Sequence, residues 1–124
     1  MVINIKNNDY EVRFGIAFVR ALDEKYYVQS KTGIKFGTGM ETRIPLLLTY
    51  DPITLSEFLY LGTCTEKKRP SQMDVDAYVD QVEDIDALFD EVIQELKKQN
   101  ATKKKMEALA ADLAEESESL TAEK

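Results

Sequence analysis

A chain of 124 residues is long enough for one small domain with a modest core, and 44% hydrophobic residues is too many for wholesale disorder. Its formal net charge of −7 works against binding nucleic acid or anionic lipid, because both would repel it. Histidine is absent and Cys64 stands alone, which removes the usual neutral-pH base, the commonest metal ligand, an internal disulfide and every cysteine-cluster metal site.

The start, MVINIKNNDYEVRF, lacks a continuous apolar segment followed by a small-residue cleavage site, so no signal peptide is expected. It alternates instead. Val2, Ile3 and Ile5 precede Asn7-Asn8-Asp9, and Tyr10, Val12 and Phe14 follow between polar residues. This pattern predicts a hairpin with strands 2–6 and 10–14 and a turn at 7–9. From Gly15 to Val28, Ile16, Val19, Leu22 and Tyr26 recur at helical spacing, and Phe18 widens the stripe. SKTGIKFGTG at 30–39 is turn-rich, with Ile34 and Phe36 as a short extended piece. Its glycines match neither the dinucleotide fingerprint nor a P-loop.

IPLLLTYDPITLSEFLYLG at 44–62 is the densest apolar run. It predicts two short helices around a break at Tyr50–Pro52, with Pro45 in the first turn of one. Asp51 caps the other, with Pro52 at its first position and Gly62 as terminator. Ser71 and Asp74 have capping-box spacing before a helix edged by Val75, Tyr78, Val79 and Val82. DIDALFDEVIQELKKQ at 84–99 carries the widest stripe, Ile85, Leu88, Phe89, Val92, Ile93 and Leu96, with acids at its start and lysines at its end. After Lys103-Lys104-Lys105, Met106, Leu109, Ala110 and Leu113 make a thinner stripe suited to a helical partner. From Glu115 the chain reads as frayed.

These elements predict an α+β fold, mostly helical: a short N-terminal antiparallel β-hairpin packed on a bundle of about four to five helices. Residues 1–100 form the expected domain, and 101–124 a helical, partly disordered C-terminal extension. That extension is expected to be dispensable for folding but needed for association. No run is apolar enough to span a membrane.

Little chemistry is on offer. Asp86 and Asp90 are neighbours on one helix face, but opposite the apolar stripe, where a solvated face is the simple reading. DVDAYVDQVED lacks the central glycine of a calcium loop. No serine has a histidine to activate it or sits in G-x-S-x-G. Cys64 reads as a small buried hydrophobe. Lys67-Lys68-Arg69 and Lys103–Lys105 are short and lack interleaved aromatics. No catalytic residue, metal site or cofactor is expected. Tyr50 and Tyr60 fit either a closing core or a protein-binding surface. With Met106, Leu109 and Leu113 they are the candidate protein-binding residues.

INIKNNDYEVRFGIAFVRALDEKY at 3–26, DPITLSEFLYLGT at 51–63 and DVDAYVDQVEDIDALFDEVIQELKKQNATKKK at 74–105 together resemble the small tail assembly chaperones of long-tailed phages and prophages of Gram-positive bacteria. Phe14, Phe18, Leu22, Tyr26, Phe58, Leu88, Phe89 and Val92 match the apolar framework. The resemblance implies a non-enzymatic helper that binds and solubilises the tape measure protein during tail tube assembly. It implies a location in the bacterial host cytoplasm and little or no presence in the mature virion. The tail tube protein and a frameshifted long form of the chain itself are further implied partners, this sequence corresponding to the short form. The alternative is a structural, homo-oligomeric phage or bacterial adaptor.

Overall fold

Lys6 and Asn7 both adopt positive φ, 53° and 66°. Two such residues in succession make the tight turn whose twist suits a hairpin. In the computed structural model, which describes residues 1–122 and side chains as far as Glu116, they join β1 (Val2–Ile5) to β2 (Asn8–Glu11). Ile5 pairs with Asn8 and Val2 with Glu11. The turn therefore lies at 6–7, not 7–9, and the second strand ends before Val12. Ile3 and Ile5 still face inward, and Val12 and Phe14 continue the buried row.

Helix α1 (Ile16–Lys25) buries Phe18 and Leu22. Ile16, expected on the inner stripe, is 68% exposed. Phe18 meets Phe14 and Phe58 edge to face, with ring centroids 4.9 and 5.1 Å away. This geometry suits aromatic quadrupoles and ties β2's continuation, α1 and α3 together. The helix stops at Lys25 instead of reaching Val28. Tyr26 is extended, and β3 (Tyr27–Gln29) pairs antiparallel with β4 (Lys35–Gly37). A second hairpin thus replaces a plain connection. Its strands have three residues each, too short for alternation to stand out from the flanking helix pattern.

Helix α2 (Gly39–Leu48) holds Pro45 in its interior, not in its first turn. The ring leaves the Glu41 carbonyl without its helical N–H donor. Tyr50, at φ 68°, breaks the chain direction. Helix α3 (Pro52–Gly62) follows, capped as expected by Asp51, whose carboxylate accepts from Thr54 N at 3.3 Å. Thr54 to Leu59 are all buried, so α3 is the central helix and not an amphipathic surface one. Gly62 lies inside its last turn. A methyl group there would collide with Val12, and the Gly62 carbonyl accepts from Arg13 N at 2.8 Å. Close approach of the first hairpin's continuation, more than helix termination, accounts for this glycine.

Helix α4 (Gln72–Gln81) starts with a complete Ser71–Asp74 capping box. Helix α5 (Ile85–Lys98) is capped by Asp84 and buries Leu88, Phe89, Val92, Ile93 and Leu96. Helix α6 (Lys103–Ala122) then packs on α2 and α5. Thr102 Oγ1 donates to the Leu96 carbonyl at 2.6 Å, Lys105 pairs with Glu41, and Met106 is fully buried in the core. The core is therefore not complete at Gln99. Residues 115–122 are assigned to α6, while 123–124, part of the expected fraying segment, lie outside the described residues.

The fold is α+β and mostly helical. Among the described residues it has two antiparallel hairpins and six helices, against the one hairpin and about four to five helices expected from patterning.

Candidate protein-binding surfaces

A charge cluster gathered on one buried carboxylate fixes the relative placement of α1, α2 and α3. Glu57 of α3 is buried. Its Oε2 accepts from Tyr26 Oη at 2.7 Å and from Lys25 Nζ at 2.9 Å. Arg43 Nε lies 3.5 Å from Glu57 Oε1, close enough for charge attraction but without hydrogen-bond geometry. Arg43 Nη2 instead donates to Thr54 Oγ1 at 3.1 Å, and its guanidinium stacks 4.8 Å over the Tyr26 ring. Burial pushes the Tyr26 phenol pKa upward. Its hydrogen bond to Glu57 and that carboxylate's charge act the same way, against Arg43. The cluster acts as a clamp, and Tyr26 is also the residue at which the second hairpin begins.

Asp23 fixes the other end of that hairpin. Its Oδ1 accepts from Gly39 N at 2.9 Å, and its carboxylate occupies the space where a side chain at Gly37 would stand. Thr38 N donates to the Tyr26 carbonyl at 2.9 Å. One face of the β3–β4 hairpin, carrying Tyr27, Lys35 and Gly37, consequently looks toward α1. A groove of about 460 Å³ remains between them, walled also by Ile16, Val19 and Arg20.

Alternation puts Val28, Ile34 and Phe36 on the opposite face. Val28 stands directly across from Phe36. These side chains are 57%, 56% and 54% exposed. Three large apolar groups on one side of a short hairpin form a patch rather than scattered surface residues.

The five sequence candidates do not converge. Tyr50 is exposed, with its ring edge-on to Phe89 at 5.5 Å. Tyr60 is half-buried, and Arg69 stacks 4.1 Å over its ring. The two tyrosines sit at opposite ends of α3, roughly 15 Å apart by helical rise. Met106 is buried, so in this fold it offers no surface to a partner. Leu109 packs partly against the core, and Leu113 is half-buried. Cys64 is likewise half-buried, not fully inside.

The hairpin patch was not among the candidates. Its signal was the extended piece Ile34-x-Phe36, whose partner strand was hidden because Tyr26 to Val28 also continue the helical spacing of α1. Ile53 and Met73 are also exposed, at 74% and 80%. Asp86 and Asp90 do lie on a solvated face. Among the described residues no group of three or more His, Cys, Asp or Glu side chains is placed to hold a metal ion, and no helix is long and apolar enough to cross a membrane.

A buried helical core, a structural charge clamp and exposed apolar patches describe a small α+β domain with no catalytic or metal centre among the described residues. The family model described as phage tail assembly chaperone protein, TAC, matches residues 2–110, and the chain belongs to that family. The match reaches past Met106 into α6, as the packing does. Membership makes the chain a chaperone of phage tail morphogenesis and not an enzyme. No curated protein and no solved structure matches it.

Proposed function

We propose that the chain binds the tape measure protein and keeps it soluble while the tail tube polymerises. The carrying observation is an exposed apolar patch, Val28, Ile34 and Phe36, on a tail assembly chaperone whose net charge is −7. A long helical client would aggregate through its apolar stripes. A small partner that covers such stripes and adds negative charge opposes that aggregation. Tube subunits must displace the chaperone, which favours modest contacts repeated along the client over one very tight interface. The site of action is the cytoplasm of the bacterial host, and the chain leaves before the virion is finished. The tail tube protein and a frameshifted long form are secondary partners in this scheme.

Quantitative mass spectrometry of purified virions and of lysates taken before tail completion tests the reading. The chain should accompany the tape measure protein in the early lysate and be depleted from virions. Retention at many copies per tail would instead identify a structural, homo-oligomeric component.

A further inference from the structure

We propose that the outer face of the β3–β4 hairpin is the client-binding element, and that its occupant is an amphipathic client helix with acidic residues beside its apolar stripe. This rests on the chaperone reading above and adds the surface and the chemistry of the segment it takes.

The hairpin is set apart from the body in three ways. Its outer face is apolar, yet among the described residues none of 27–37 belongs to the core. Its charge is opposite to that of the rest: Lys31 and Lys35 are its only ionised side chains, so the remainder of the chain carries −9 against the overall −7. Its base is fixed, by Tyr26 in the Glu57 cluster and by Asp23 against Gly37 and Gly39, so the patch is presented on a held platform. Isolated two-stranded hairpins are marginal, and an exposed apolar face adds nothing to this one's own stability.

The geometry favours a helix over an added strand. Ser30 N to Ile34 O and Thr38 N to Tyr26 O are ladder bonds, which makes Val28–Phe36 the hydrogen-bonded pair between them. Only two residues per strand then direct backbone groups outward, too few for a stable third strand. The side-chain rows suit a helix better. Ile34 and Phe36 are spaced by roughly 6.7 Å along the strand, and apolar residues one turn apart on a helix are spaced by about 5–6 Å. Lys31 at the tip favours acidic residues flanking that stripe, whereas Lys35 belongs to the inner face, its Nζ 4.7 Å over the Tyr27 ring. A uniformly basic segment would instead be drawn to the acidic body. Glu24, on the α1 wall of the neighbouring groove, faces the inner side of the hairpin and leaves the outer patch uncontested.

The test coexpresses the tagged full chain with the tape measure protein encoded by the same phage or prophage and measures the affinity of the purified components. Three variants accompany the wild type. The first replaces Val28→Thr, Ile34→Thr and Phe36→Thr, keeping strand-forming residues. The second replaces Lys31→Glu. The third, a control, replaces Ile53→Thr and Met73→Thr, which are more exposed still and lie elsewhere. All altered positions are on the surface, and circular dichroism with thermal melting checks that each variant is folded. The threonine variant should bind roughly tenfold or more weakly, as loss of a central apolar cluster does. The charge-reversed variant should bind more weakly too, and added salt should weaken the wild-type complex. The control should match wild type. Wild-type binding of the client with an unaffected threonine variant overturns this surface while leaving the chaperone reading intact. Loss of self-association by the threonine variant in analytical ultracentrifugation, with client binding retained, assigns the patch to a second copy and also overturns it. Absence of any wild-type complex removes both readings.

Discussion

Lys105, in the first turn of α6, forms an ion pair with Glu41, in the first turn of α2. The next residue, Met106, is fully buried in the domain core. The helix that sequence patterning treats as an appendage is therefore fastened to the body by both charge and packing.

Met106→Ala should destabilise the fold by about 2–5 kcal/mol, the range for emptying a buried methionine site. Truncation after Asn100 removes the same group together with the Thr102–Leu96 bond, and should lower the melting temperature by roughly 10 °C or more. Thermal melting followed by circular dichroism reads both. An unaltered melt for the chain ending at Asn100 would show that α6 does not pack as described.

The same contact predicts a pH effect. Partial burial pushes the Glu41 carboxyl upward, but the Lys105 hydrogen bond, a bond to backbone and the lysine charge outweigh it, so its pKa is lowered from the ordinary 4.5. A depressed carboxylate pKa means that the unfolded state binds the proton more readily. The stabilisation is present above the unfolded value near 4.5 and is lost as pH falls through the folded value. Wild type should thus outlast Glu41→Gln at neutral pH, and the gap between their melting temperatures should close on acidification below that range. A pH-independent gap would detach the effect from the ion pair.

Phe89 is 3% exposed and receives the edge-on Tyr50 ring. Phe89→Ala should cost about 3–5 kcal/mol in a denaturant titration. A loss under about 1 kcal/mol would mean that α5 does not close the core.

Gly62→Ala should destabilise by about 1–3 kcal/mol, because its new methyl meets Val12. Combining it with Val12→Ala should cost less than the sum of the two single changes, since each vacates or fills the same space. Strict additivity of the two losses would rule out that contact.

These positions show what patterning can and cannot reveal. The Asp51 and Ser71 helix starts were legible because capping is local chemistry, carried by one side chain and the next turn. The α5 stripe was legible because one face of a long helix repeats the same decision several times. Pro45 and Ile16 were misplaced because tertiary packing overrides a local rule: a proline is tolerated inside α2, and α1 is rotated to present Phe18 and Leu22. Gly62 looked like a stop signal, whereas its reason is a segment almost fifty residues earlier in the chain. Of the candidate surface, the sequence left Tyr50 between a closing core and a surface, and the fold exposes it. The β3–β4 patch was not legible, because its two short strands acquire a shared face only once they pair.

In the proposed function this tail assembly chaperone protects the tape measure protein. The most direct measurement is the soluble fraction of that protein when it is expressed with and without the tagged chain, followed by affinity capture. A larger soluble fraction is expected on coexpression, with the tape measure protein retained by the tag. An insoluble tape measure protein and no retained complex, when both proteins are made, would contradict it.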